Sequence, residues 1–76
     1  MIGIKSMFPV SWSKSKIMHA VLDVVANNKW IQQTGKTGAA FTKNGQPVKY
    51  VVEGTFEGVK IKVITTATEI ITAFPI

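Results

Sequence analysis

Residues 47–65 read PVKYVVEGTFEGVKIKVIT, and the period of this stretch decides the fold. Apolar and polar residues alternate in steps of two on either side of Glu57-Gly58. Successive side chains of an extended chain point to opposite faces, so this is the spacing of half-buried strands. On the first arm Val48, Tyr50, Val52 and Phe56 share one face, with Lys49, Glu53 and Thr55 largely on the other. On the second arm, VKIKVIT, Lys60 and Lys62 point outward. With Glu57-Gly58 as the turn between them, the two arms are predicted to form an antiparallel hairpin.

Beyond the hairpin a second turn at Thr66 to Glu69 leads into IITAFPI, residues 70–76. This segment is predicted as a third strand with Ile70, Thr72 and Phe74 on one face. A hydroxyl, an aromatic ring and a proline so close together suggest the wall of a site. Upstream, SWSKSKIMHAVLDVVANNK, residues 11–29, changes the period to that of a helix. Ser11 or Ser13 is suited to cap it, and Ile17, Val21, Val24 and Val25 with Met18 and Leu22 form its apolar face. Lys16, His19, Asp23 and Asn27 lie opposite, and the helix is expected to end near Asn27-Asn28. The periodicity makes Met18, Leu22 and the valines core residues.

Two stretches lack a period. Residues 1–10 hold Gly3, Pro9 and mixed apolar residues and read as an extended lead-in, with Phe8 biased away from helix by the proline that follows it. Lys29 to Gln46 is predicted as a long loop whose Trp30, Ile31 and Phe41 dock on the body. Its TGKTG, residues 34–38, lacks the four-residue gap between glycines of a phosphate loop, and neither a strand before it nor a helix after it is predicted. The expected architecture is α+β: one amphipathic helix packed on a three-stranded antiparallel meander, within a single domain spanning 1–76.

Composition narrows the function. At 76 residues the core is marginal without a staple or partner, and the chain has no cysteine. Disulfides, cysteine-zinc sites and thiol nucleophiles are thereby excluded. No apolar run approaches a membrane span, so no membrane insertion is expected. Nine cations against four acids give a formal charge of +5, which favours anionic partners, nucleic acid first. Every one of the nine is Lys. Without Arg, bidentate reading of guanine edges is disfavoured, while point-charge contacts to phosphate remain open. The single histidine, His19, lies four residues before Asp23 on the polar helix face and reads as a solvated imidazole. No His cluster has metal-ligand spacing, and no cofactor or metal is expected.

Four segments together carry a family resemblance: KSMFPVSWSKSKIMHAVLDV (5–24), WIQQTGK (30–36), VEGTFEGVKIKVI (52–64) and EIITAFPI (69–76). In order and spacing the chain resembles the C-terminal part of the bacterial EndoU-type endoribonuclease toxin domain, found at the tip of contact-dependent growth inhibition and other polymorphic toxins. The resemblance implies the C-terminal half of the barnase/EndoU/colicin/RelE-like fold. It also implies cleavage of RNA by attack of the ribose 2′-hydroxyl on the adjacent phosphate, leaving 2′,3′-cyclic phosphate ends. Carried over residue by residue, Lys5 matches the family's phosphate-side lysine, Thr72 its hydroxyl residue on the last strand, and Phe74 the aromatic that is often Tyr. The ring retains stacking but lacks a phenolic hydrogen bond.

The family's two catalytic histidines lie before the lysine element, and here four residues precede Lys5. His19 stands in the wrong element to replace them. The chain by itself is therefore expected to be a poor or inactive nuclease that needs a histidine-bearing segment; an RNA-binding module without catalysis and a protein-interaction module remain open. The partners implied are RNA, tRNA among its forms, an immunity protein, and a second copy or a complementary N-terminal segment. As part of a toxin, the chain would be delivered from the bacterial cell surface and act in the target-cell cytoplasm.

Overall fold

The computed structural model describes the backbone of residues 3–4 and all of residues 8–76. In chain order the elements are β1 (Gly3–Ile4), α1 (Lys14–Asn27), β2 (Trp30–Gln32), β3 (Tyr50–Phe56), β4 (Val59–Thr65) and β5 (Ile70–Pro75). They build an α+β fold with the strand order β1-β5-β4-β3-β2. The central β3, β4 and β5 form the predicted antiparallel meander. Two short strands extend it: β2 pairs antiparallel with β3, and β1 pairs parallel with β5. The expected helix on an antiparallel meander holds, and among the described residues these two short strands bring the sheet to five. Strands of two and three residues are too short to display an alternation, and neighbouring strands hold them in place.

Local chemistry accounts for the boundaries. Ser13, with extended backbone, accepts a hydrogen bond from the Lys16 amide at 3.1 Å, so the second of the two candidate serines is the N-cap. At the far end the Asn28 Nδ2 donates to the Val24 carbonyl at 2.9 Å, satisfying an acceptor left open in the last turn. The β3–β4 connection places both Glu57 and Gly58 at positive φ, 49° and 81°. This is the conformation whose twist matches that of antiparallel strands. Glu57 also receives the Lys16 ammonium at 2.8 Å, an exposed pair that ties the helix start to the hairpin tip.

The core lies on one face of the sheet. Ala20, Val21 and Val24 of α1 pack on Val52, Ile61, Val63 and Ala73, and all seven are fully buried. Phe8 closes one end, stacked on Trp12 with ring centroids 6.0 Å apart; Trp12 in turn meets the edge of Phe56 at 5.8 Å. The predicted helical stripe holds at Ile17, Val21 and Val24 but not at Leu22, which is 54% exposed. At 3.6 residues per turn Leu22 lies about 140° around the helix from Ile17, beyond the arc that one sheet covers. Met18, about 100° away by the same count, is half-buried.

A second correction concerns β5. The register runs Ile64 to Thr72 and then Thr65 to Ile70, so β5 carries one extra residue at that point. Such a bulge reverses the alternation. Ile70 therefore packs against the core while Thr72 and Phe74, flanking the fully buried Ala73, project from the opposite face. The predicted sharing of one face by Ile70, Thr72 and Phe74 holds for the last two alone.

The segment between β2 and β3 is folded in detail. The Gln32 side chain donates to the carbonyls of Thr34 (2.8 Å) and Lys36 (2.6 Å) and accepts from the Gly38 amide (3.3 Å). Farther on, Phe41 and Pro47 form an antiparallel bridge, with Thr42 N donating to Gln46 O at 2.8 Å and Val48 N to Ala40 O at 3.2 Å. Trp30 docks as expected, its Nε1 donating to the Val25 carbonyl at 2.9 Å. Ile31 and Phe41 do not dock; they are 55% and 62% exposed.

The helix end sits so close to β3 that a Cβ built on Gly54 would lie 2.8 Å from the Asn28 Cγ. Gly54→Ala should therefore displace Asn28 and cost about 1 kcal/mol, the typical net worth of the hydrogen bond it breaks. In an Asn28→Ala background the same change should cost close to nothing. Denaturant unfolding of the four proteins of this double-mutant cycle tests the contact, and equal costs in both backgrounds would disprove it.

Candidate RNA-binding face

One helix covers one face of the sheet, and the parity of each strand assigns residues to the other. Three register rows compose the middle of this open face. Val51, Ile64 and Thr72 stand side by side on β3, β4 and β5. Glu53, Lys62 and Phe74 follow two residues along, and then Thr55 and Lys60. Gly3 of β1 pairs with Thr72, so the neighbouring strand adds no side chain beside the hydroxyl residue.

The face has a definite chemical character. Val51 and Ile64 are half-buried and form an apolar floor. Thr72 and Phe74 border it, about 7 Å apart along the strand by ordinary strand rise. Lys62 stands directly across from Phe74 and separates it from Glu53, while Lys60 is the next residue of β4 on the same side. An ammonium beside an aromatic ring and a hydroxyl beside an apolar floor suit a phosphate and the base attached to it. Lys62 and Lys60 were legible from alternation as outward lysines. Their adjacency to Phe74 is a matter of register, which the β5 segment does not display by itself.

His19 is an exposed residue of α1, on the helix side of the sheet. Its ring meets the edge of Phe56 at 5.9 Å, and Phe56 packs against the core cluster under the helix. The Asp23 carboxylate, the candidate i+4 partner of His19, accepts from Asn27 Nδ2 at 3.0 Å. A cavity of about 300 Å³ near the helix C-terminus, between Val25, Trp30 and the Thr65–Ile70 segment, is likewise on the covered side. Its buried threonines serve the turn: Thr65 Oγ1 donates to the carbonyls of Thr66 and Glu69, and Thr66 Oγ1 accepts from the Glu69 amide. Lys5 lies outside the described residues; Ile4, which precedes it, pairs with Ala73 between Thr72 and Phe74. Among the described residues no three of His, Cys, Asp and Glu converge as a metal site would require. No described helix is long and apolar enough to cross a membrane.

The profile of the Bacterial EndoU nuclease family matches residues 3–76, nearly the whole chain. The chain belongs to the bacterial EndoU nuclease family. It is thus a nuclease toxin domain of the EndoU type, as the spacing of its four motif segments implied. No curated protein and no solved structure matches it. Within the EndoU chain the two carried-over residues of β5, Thr72 and Phe74, share the open face, and the lone imidazole does not join them.

His19→Ala should lower stability by about 0.5 kcal/mol through loss of the ring-edge contact. It should leave binding of any ligand on the open face unchanged. Urea unfolding and an RNA titration on the same protein check both halves, and a binding loss in folded protein would place His19 in the site.

Proposed function

We propose that the open face holds RNA for cleavage to 2′,3′-cyclic phosphate ends, and that the acid and base of the reaction come from histidines on a segment outside these 76 residues. The observation that carries the reading is the placement of the single histidine. His19 stands exposed on α1, and α1 packs on the side of the sheet opposite Thr72 and Phe74. A group that removes the 2′-hydroxyl proton must come within hydrogen-bond reach of it, and a five-stranded sheet stands between.

The division of labour follows. Phe74 stacks on a base, and the Thr72 hydroxyl hydrogen-bonds its edge. Lys5 offsets the negative charge that grows on the phosphorus-bound oxygens as the 2′-oxygen attacks. The proton leaving the 2′-hydroxyl passes to one external imidazole, and the other protonates the departing 5′-oxygen. Loss of these two roles removes about 10²–10⁴-fold each, so the isolated chain binds RNA and cleaves it poorly. In a delivered toxin this chemistry operates in the target-cell cytoplasm, and an immunity protein that covers the open face would silence it.

The test is reconstitution. Supplying a histidine-bearing EndoU segment, as a separate chain or fused ahead of Met1, should produce cleavage with cyclic phosphate ends and without added metal. Lys5→Ala should then abolish most activity while the complex still forms. Phe74→Ala should weaken single-stranded RNA binding by about 1–3 kcal/mol. A reconstituted Lys5→Ala complex that cleaves at the wild-type rate contradicts the assignment of the lysine. Unchanged affinity for folded Phe74→Ala removes the ring from the site.

A further inference from the structure

The segment between β2 and β3 leaves the sheet at Gln32 and returns at Tyr50. It holds an exposed aromatic ring on an ordered scaffold. Phe41 is 62% exposed, yet its backbone is fixed by the bridge to Pro47 and by its two neighbours, Ala40 accepting from the Val48 amide and Thr42 donating to the Gln46 carbonyl. Lys36 and Lys43 line the same concavity of about 640 Å³ as the ring, together with Gly35, Ala39 and Thr42. Lys36 is itself held, because its carbonyl accepts from Gln32 and from the Ala39 amide. The chain thus orders a loop without burying its largest apolar side chain, and it places two cations beside that side chain.

We propose that this loop is a second nucleotide platform, on which Phe41 stacks a base while Lys36 and Lys43 contact the flanking phosphates of single-stranded RNA. The inference rests on the RNA reading of the open face and adds to it a distinct contact point. Charge complementarity selects the occupant, since the concavity is lined by two lysines and no acidic residue. A stacking ring between cations accepts any base, so this platform lengthens the footprint without setting sequence preference.

The loop rejoins the sheet well away from Phe74. Phe74 pairs through Lys62 to Glu53, and Lys49, where the loop rejoins β3, is four residues from Glu53. Two strand spacings and four residue rises put Lys49 about 17 Å from Phe74 by backbone distance. A dinucleotide on Phe74 should not engage Phe41, whereas a longer strand should engage both.

Fluorescence anisotropy with a labelled dinucleotide and a labelled 12-nucleotide RNA tests the proposal on the 76-residue chain. Phe41→Ala should weaken the 12-mer roughly 5- to 150-fold and leave the dinucleotide unchanged, and Phe41→Trp should retain the long-strand affinity. Lys36→Gln with Lys43→Gln should flatten the slope of log affinity against log salt by about 1.4, the release expected for two phosphate contacts on a single strand. If Phe74→Ala weakens both ligands while Phe41→Ala weakens neither, the second platform is wrong and the open-face reading stands. If the wild-type chain binds neither RNA, both fall. If an acidic peptide displaces the 12-mer and its own affinity drops with Phe41→Ala, the surface is a protein-binding one and the RNA assignment is overturned.

Discussion

The packing of Ala20, Val21 and Val24 onto Val52, Ile61, Val63 and Ala73 is the contact on which the rest depends. A 76-residue chain without disulfides has a marginal core. This one buries most of its core side chains between one helix and one side of one sheet. Everything else about the molecule is a consequence of that one-sidedness. Strand parity then sends Thr72, Phe74, Lys60 and Lys62 to the side without a helix. The bulge in β5 completes the separation, because it returns Ile70 to the core while leaving Thr72 and Phe74 outside.

The consequence for chemistry is a division between the two sides. The covered side holds the lone imidazole, the aromatic chain from Phe8 through Trp12 to Phe56, and the cavity at the helix C-terminus. The open side holds a hydroxyl, a ring and lysines over an apolar floor. In the proposed reading the binding groups and the lone imidazole stand on opposite sides of the described sheet. In the proposed reaction binding and acid-base chemistry meet where a histidine-bearing segment joins the open face.

Much of this was legible in the sequence, for physical reasons. Alternation through residues 47–65 disclosed β3, β4 and the Glu57-Gly58 turn, since each strand has one buried face and must repeat every two residues. The Ser13 cap and the Ile17, Val21, Val24 stripe disclosed α1 for the equivalent helical reason. What escaped was set by neighbours. A strand as short as β2 has no period, the exposure of Leu22 depends on how much of the helix one sheet covers, and the bulge exists only in the pairing of β4 with β5. Order in residues 33–49 comes from the Gln32 side chain reaching three backbone groups and from the bridge between Phe41 and Pro47, neither of which has a period in the sequence. The assignment of Thr72 and Phe74 to a site comes from family resemblance and not from the spacing of the residues. Composition alone ended at a basic α+β module.

On the proposed reading RNA meets the side of the sheet opposite the helix. Methyl-resolved NMR of the chain titrated with a short single-stranded RNA tests it most directly, because the two faces carry separate reporters. Saturable shifts are expected at the Ile64 and Thr72 methyls, with Val21, Val24 and the Met18 methyl beside the helix stripe unmoved. Shifts centred on Met18 and the His19 ring, with Ile64 and Thr72 silent, would contradict it.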